Sequence, residues 1–267
     1  GCPVDGCIGF ELTADLDFDT SGDGVLNGND VYWNGGAGWQ PIGSSSGDAF
    51  SAVFHGNGYL IRNLMTARPE VAYQGLFGYM VNATVKELGL SGPLMHIQGK
   101  HGVGGLAGYA KDSQITATFV SGYIDGKAGD VGGLVGAAFG TTVVASYVTG
   151  IVSGEGDNYI ASLVGYRLSG DVFASMSTAY MQSNVIGGLV GSNFFNDPSD
   201  TYVSYWASDA SGQNIGYGGT PVTLAELKCP TSADNTSCAE PTLYETWDSY
   251  TDAQGNPYWD YGTDTEI

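Results

Sequence analysis

The sequence predicts an all-β fold, a right-handed parallel β-helix (a solenoid) with capped ends. Three observations carry that expectation. The tetrapeptide Gly75-Leu76-Phe77-Gly78 recurs as Gly105-Leu106-Ala107-Gly108, Gly133-Leu134-Val135-Gly136, Ser162-Leu163-Val164-Gly165 and Gly188-Leu189-Val190-Gly191, at spacings of 30, 28, 29 and 26 residues. The stretches between are short runs rich in Val, Ile, Thr and Tyr, broken by Gly, Ser and Asn, with no sustained i, i+3, i+4, i+7 apolar pattern. Glycine, at 43 of 267 residues, is more than twice its ordinary frequency. A unit of several short strands cannot bury its apolar side chains alone, whereas stacked units do so along parallel ladders about 4.8 Å apart. A propeller blade needs a longer period of about 40 residues. A sandwich gives no reason to repeat one tetrapeptide five times.

Taken in order, residues 1–49 are expected to form an N-terminal strand and cap, 50–215 the repeat solenoid, and 216–267 a C-terminal cap, all one continuous domain. In the first segment Phe10, Leu12, Ala14, Leu16 and Phe18 alternate with Glu11, Thr13, Asp15 and Asp17, which reads as one half-buried strand. The twelve residues from Asp19 to Asp30 then fit a calcium loop. Asp19, Ser21 and Asp23 supply oxygens at positions 1, 3 and 5, and Gly24 permits the turn. Val25 offers its carbonyl, Asn27 acts directly or through water, and Asp30 closes the shell. The flanks are not helical, so the expected role of Ca2+ is structural rather than sensory. Asp30 is shorter than the usual bidentate Glu, so the expected affinity is modest, ~10⁻⁶ to 10⁻³ M. The competing reading is a solvated acidic turn.

In the solenoid, Leu76, Leu106, Leu134, Leu163 and Leu189 are expected to form one interior column, and Val85, Ile115, Val143 and Val172 another. The glycines belong where backbones bend sharply or approach closely. Near the C-terminus Thr223-Leu224-Ala225-Glu226 has capping-box spacing and marks one short helix, stopped at Cys229-Pro230. Trp33, Trp39, Trp206, Trp247 and Trp259 all fall in the terminal regions. Covering the open solenoid ends is their expected use, with stacking on sugar rings as the alternative.

Composition excludes several classes. Eight Lys and Arg against 28 Asp and Glu give a net charge of −20, which leaves no basic surface for nucleic acid. Charged residues make up 13% and hydrophobic ones 42%, so the chain is not a disordered acidic tail. No run of 18 apolar residues spans a membrane. No basic n-region precedes an apolar run at the start, so any secretory leader is expected outside these residues. The cysteines form two close pairs, Cys2 with Cys7 and Cys229 with Cys238, without Cys-x-x-Cys spacing or nearby histidines. Two local disulfides are the simplest of three pairings; a lipid on Cys2 is an alternative. Paired cysteines point to a secreted or cell-surface, extracytoplasmic location.

With these residues in view, the chain resembles the GLUG-repeat proteins, a group of bacterial adhesins and other surface proteins named for the Gly-Leu-hydrophobic-Gly tetrapeptide. Phe10 to Phe18 resembles the family's opening strand, Trp39-Gln40-Pro41-Ile42-Gly43 the segment after it, and Phe54 to Leu64 its first full coil. Ser204-Tyr205-Trp206 and Ser211-Gly212-Gln213 resemble the closing coil. Ser162 departs from the pattern, as does His55, where the family commonly has Asp. The resemblance implies a parallel β-helix on a surface protein and no reaction.

Signals of catalysis are sparse. The histidines are His55, His96 and His101, with no His-Glu-x-x-His pair and no Gly-x-Ser-x-Gly elbow. Asp125, Asp130 and Asp171 are scattered rather than paired as an acid and base. The expectation is therefore a calcium-stabilised module for adhesion or ligand binding, with a glycan as the favoured surface ligand and neighbouring domains in a longer chain. No catalytic residue is assigned. A polysaccharide lyase or glycoside hydrolase on the same scaffold, and a structural spacer or filament subunit, are the alternatives. An exposed aromatic stripe would favour glycan binding, and a compact charged cluster on one face would favour the enzyme.

The cysteine pairing is testable. Non-reducing peptide mapping is expected to link Cys2 to Cys7 and Cys229 to Cys238, each closure contributing about 2–3 kcal/mol. A peptide linking Cys2 to Cys229 or Cys238 overturns that pairing.

Overall fold

The computed structural model describes residues 9–155, 159–182, 187–193, 201–213, 216–228, 243–244 and 246–259. All four cysteines lie outside the described residues, so the expected disulfides do too. The chain is all-β, with parallel strands stacked as a solenoid of about five turns. A long sheet runs from Gly9–Glu11 through Val53–His55, Thr84–Ser91, Gln114–Gly126, Tyr147–Gly154, Met176–Ser177 and Tyr205–Ala207 to Thr220–Val222. A second sheet stacks Phe77–Val81, Ala107–Lys111, Val135–Phe139, Val164–Arg167 and Val190–Asn193. A third, short one stacks Val103–Gly104, Val131–Gly132 and Ile160–Ala161.

Each tetrapeptide sits where a coil enters the second sheet. Its leucine points inward, and Leu76, Leu106, Leu134, Leu163 and Leu189 are all buried, as the repeat predicts. Val85, Ile115, Val143 and Val172 pair in direct register along the long sheet, also buried. At the expected 25 cal/mol per Å² of apolar area removed from water, each such column is a principal source of stability. Glycines at the entry to the tetrapeptides, such as Gly104 and Gly105, lie against backbone of their own or the next coil. A Cβ built on Gly104 would stand 2.4 Å from the Ala107 oxygen and 2.7 Å from the Leu134 oxygen, with no room for either to yield.

A feature without a flagged sequence motif is a buried hydroxyl ladder at one bend of the long sheet. The backbone N–H of Thr118 donates to Ser146 Oγ at 3.2 Å, that of Ser146 to Ser175 Oγ at 3.2 Å, and that of Ser175 to Ser204 Oγ at 3.1 Å. Each serine Oγ in turn donates to a carbonyl two residues earlier. The preceding residues Ala117, Ala145, Ala174 and Val203 all have left-handed φ, between 41° and 49°. That turn lifts an N–H out of the strand ladder, and the neighbouring coil's hydroxyl takes it up.

The opening strand differs from expectation. Residues 10 to 18 form two separate short strands, Gly9–Glu11 and Leu16–Asp17, joined by a bend. They pair with Val53–His55 and Leu60–Arg62, which flank the turn Gly56-Asn57-Gly58. The corner must turn where its neighbour turns, so strict alternation does not make one strand. Phe10 and Leu16 are left about half exposed on this edge, while Leu12 and Phe18 are buried.

The capping-box helix forms as read. Leu224–Leu227 is capped by Thr223, whose hydroxyl accepts from the Glu226 N–H while the Glu226 carboxylate accepts from the Thr223 N–H. Among the described residues there are three further short helical turns that the sequence pattern does not predict, at Asn34–Gly36, Ser208–Ser211 and Trp247–Ser249. Residues 243–244 and 246–259 lie on the outer face of the long sheet's last coils. Trp247 Nε1 donates to the Val203 carbonyl at 2.7 Å and Trp259 Nε1 to the Ala174 carbonyl at 2.8 Å. At the other end Trp39 Nε1 donates to the Leu76 carbonyl at 3.0 Å, and its ring packs against Phe18 and Tyr32.

Backbone proximity between coils makes a clear prediction. Gly104→Ala should lower stability by at least about 1–3 kcal/mol through overpacking, read as a drop in melting temperature. Gly47→Ala, whose new methyl meets nothing closer than 3.9 Å, should melt like the parent.

Candidate functional site: an aromatic row and an acidic loop

On the outer face of the second sheet, side chains alternate with buried ones, and the residue following each tetrapeptide points outward. Tyr79 and Tyr109 therefore stand in direct register, with Ala137 and Tyr166 continuing the same column. Phe139, two residues beyond Ala137, leans into the space that the small alanine leaves. The ring centroids step 5.3 Å from Tyr79 to Tyr109, 5.0 Å on to Phe139 and 5.6 Å on to Tyr166. Tyr73 flanks the row, its ring 4.5 Å from Tyr79 and 5.9 Å from Tyr109 with His101 5.1 Å from it, and Tyr159 flanks Tyr166 at 5.4 Å. Ring planes tilt by 28° to 51° along the row, with Tyr109 and Phe139 stacked and the other two pairs more steeply tilted. Each of these side chains is partly exposed, Tyr159 the most.

Tyr73 is held with φ of 55°, a backbone state that an aromatic residue rarely adopts. Its ring lies over Gly102, where a Cβ would come within 2.5 Å. Burial pushes the Tyr79 phenol up to about 12, helped by the Tyr73 and Tyr109 phenols beside it. Burial likewise raises Tyr109 and Tyr166, with lesser contributions from neighbours that include Asp112 and Asp130 respectively. The phenols of Tyr79, Tyr109 and Tyr166 thus stay neutral at physiological pH, each able to donate and accept.

Beside this row, at the next corner, runs an open groove of about 500 Å³ lined by Asn82, Thr84, Asp112, Gln114 and Thr142. Asn82, Asp112 and Gly140 stack there with φ of 53°, 48° and 60°, one above another. At the far end sits Asp130. Burial pushes its carboxyl up to about 6, and no side-chain or backbone donor among the described residues offsets that cost.

Several other polar side chains of the outer surface engage one another. Gln98 Nε2 donates to Asp125 at 2.9 Å, and Lys127 pairs with Glu155 at 2.7 Å. His96 stacks on Tyr123 at 4.7 Å, and burial holds its imidazole below the ordinary range against the pull of Asp125. His55 Nε2 meets Glu87 at 2.8 Å at the end of the Val53–His55 strand. Asp125, Asp130 and Asp171 do not form an acid–base pair among themselves.

In the N-terminal loop the predicted ligands are close in space through hydrogen bonds. Asp19 accepts from the amides of Gly22 and Gly24 and from Ser21 Oγ. Asp23 accepts from the Val25 amide. Asn27 Nδ2 lies 2.9 Å from Asp23 Oδ2 and 3.0 Å from the Val25 carbonyl, bridging two oxygens that the loop pattern gives to a cation. Asp30 is buried and accepts from the amides of Ser21 and Asn27, which hold its carboxyl below the usual range. It braces the loop through the backbone. Among the described residues no three His, Cys, Asp or Glu side chains converge on one point. Asn27 turns its Nδ2 rather than its oxygen toward Asp23 and Val25, its Oδ1 accepting from the Asn29 amide, so the six groups of the loop pattern do not present six oxygens to one point.

Sequence reasoning looked to the tryptophans for an aromatic surface and passed over the tyrosines. The signal was present: the position after each tetrapeptide is Tyr79, Tyr109, Ala137, Tyr166 and Ser192.

No helix among the described residues is long and apolar enough to cross a membrane. No family model matches the chain, and no solved structure gives a significant match. The chain is similar over part of its length to halomucin from Haloquadratum walsbyi, 33% identical over 95 residues, or 35% of this chain and 1% of halomucin. It is also similar to a putative Gly-rich membrane protein from Evansella cellulosilytica, 38% identical over 76 residues, or 28% of this chain and 9% of that protein. The matched stretch is thus a small fraction of each of these longer proteins.

Proposed function

We propose that the chain is a calcium-stabilised, extracytoplasmic binding module of a larger GLUG-type surface protein, and that it holds a glycan without transforming it. The observation that carries this reading is the aromatic row of the second sheet, flanked by a polar groove. Sugar rings offer apolar C–H faces and a rim of hydroxyls. Tyrosine edges and faces take up the former, and phenols, amides and carboxylates exchange hydrogen bonds with the latter. Cleaving a glycosidic bond needs a positioned acid and base, whereas Asp125 and Lys127 are already committed to Gln98 and Glu155. The great length of the matched proteins, one of them titled a membrane protein, supports a place among further domains at a cell surface.

Two measurements test this. Retention of the purified chain on at least one immobilised polysaccharide, with no new reducing ends or unsaturated products, is the expected result. Product formation abolished by a single Asp or His substitution overturns it in favour of a lyase or hydrolase, and no retention on any polysaccharide favours a spacer.

For the loop, a ligand bound only by the folded state at 100 times its dissociation constant adds about 2.7 kcal/mol. Chelator is therefore expected to lower the melting temperature, and the double substitution Asp19→Ala, Asp23→Ala to erase the difference. An identical melting curve with chelator, together with no metal by elemental analysis, removes calcium from the account.

A further inference from the structure

The row is regular in a way that selects among glycans. Its four central rings come from four successive coils, and their steps of 5.0 to 5.6 Å are set by the strand spacing of about 4.8 Å. Tyr79, Tyr109 and Tyr166 share one register column through Ala137, and Phe139, in register with Lys111 and two residues along from Ala137, supplies the third ring, so the row follows the stacking direction with one sideways step. A chain of pyranoses joined through equatorial bonds is a flat ribbon that advances about one ring length per sugar, in step with the coils. A chain with axial linkages curls, and departs from a straight row within a few sugars.

Charge narrows the class further. The chain carries a net charge of −20. Asp112 directly follows the Ala107–Lys111 strand that carries Tyr109, and Asp130 directly precedes Val131, whose amide donates to the carbonyl of Tyr159, the ring beside Tyr166. Uronate or sulfated chains would set like charges against these groups, while neutral sugar hydroxyls donate to them. Asp130 is the better placed acceptor, since none of the described residues hydrogen-bonds its carboxyl. Asp112 already faces Lys111 at 3.9 Å.

We propose that the row holds an extended, uncharged chain of β-linked pyranoses laid along the solenoid axis, one sugar per coil, with Asp130 accepting from a hydroxyl at the Tyr166 end. This deepens the glycan reading and rests on it.

Titration calorimetry of the full chain with three oligosaccharide series tests the proposal: β-1,4-linked glucose, α-1,4-linked glucose and α-1,4-linked galacturonate, each from two to six units. Affinity for the β-series should climb with each unit to four and then level off. The other two series should bind at least about tenfold more weakly, a difference of about 1.4 kcal/mol. Tyr109→Ala should weaken tetramer binding about three- to tenfold, and Asp130→Asn severalfold, the latter without a lower melting temperature and both with the dichroism of the folded chain. Should Tyr109→Ala prove unstable, Tyr79→Ala replaces it. Equal or tighter binding of the α-linked or uronate series overturns the class assigned here but leaves the glycan reading standing. Wild-type affinity in both the Tyr and Asp130 variants moves the site off this row. No binding in any series, with no retention on any polysaccharide, overturns the glycan reading itself.

Discussion

The direct, unstaggered pairing of each coil's backbone with the next is the constraint on which everything else in this chain depends. Every parallel strand pair keeps a zero offset along the stack, so a residue type placed once per repeat becomes a continuous column. Leucine becomes an apolar wall, serine a hydrogen-bonded ladder and tyrosine a surface strip. No column exists in any single coil. The register also dictates where side chains are forbidden. Where one coil's carbonyls press on the next, as around Gly104, Gly132 and Gly136, even a methyl group has no space. Glycine content is therefore a consequence of close backbone approach and not of loose structure.

The same register explains how the corners are satisfied. A solenoid must bend several times per coil, and each bend removes a backbone N–H from its ladder. In this chain the left-handed residue at one bend is followed by Thr118, Ser146, Ser175 or Ser204, and the neighbouring coil's hydroxyl accepts the stray N–H. Because the hydroxyl also donates within its own coil, the bend is held from both sides. A buried polar group so paired costs little, whereas one left alone costs about 1–3 kcal/mol.

Much of the fold was legible in the sequence, because the tetrapeptide and the Val/Ile positions report the two interior columns directly. What was not legible follows from contacts between coils that a single repeat does not reveal. Residues 10 to 18 alternate like a strand, yet the corner at Gly56-Asn57-Gly58 imposes a bend on them. Phe139 joins the aromatic row only because Ala137 beneath it is small, which depends on two positions jointly. Arg167 continues the buried column of Met80, Ala110 and Ala138, an unusual place for a cation. Its Nη1 donates to the Gly170 carbonyl at 3.0 Å. The acidic loop was legible as a pattern of oxygens, but the roles of Asn27 as a bridge and Asp30 as a brace depend on side-chain orientation.

The placement of the indoles has an optical consequence. Trp33 and Trp39 belong to the N-terminal cap, and Trp206, Trp247 and Trp259 to the last coil and the segment laid over it, while the coils between contain none. In a linear stack each coil leans only on its neighbours, so the ends are free to melt at their own free energy. Indole emission therefore watches the two termini, and tyrosine absorbance and far-ultraviolet dichroism weigh the middle. The chain carries its own pair of independent gauges, and any gap between their transitions measures how far fraying at the ends runs ahead of collapse at the centre.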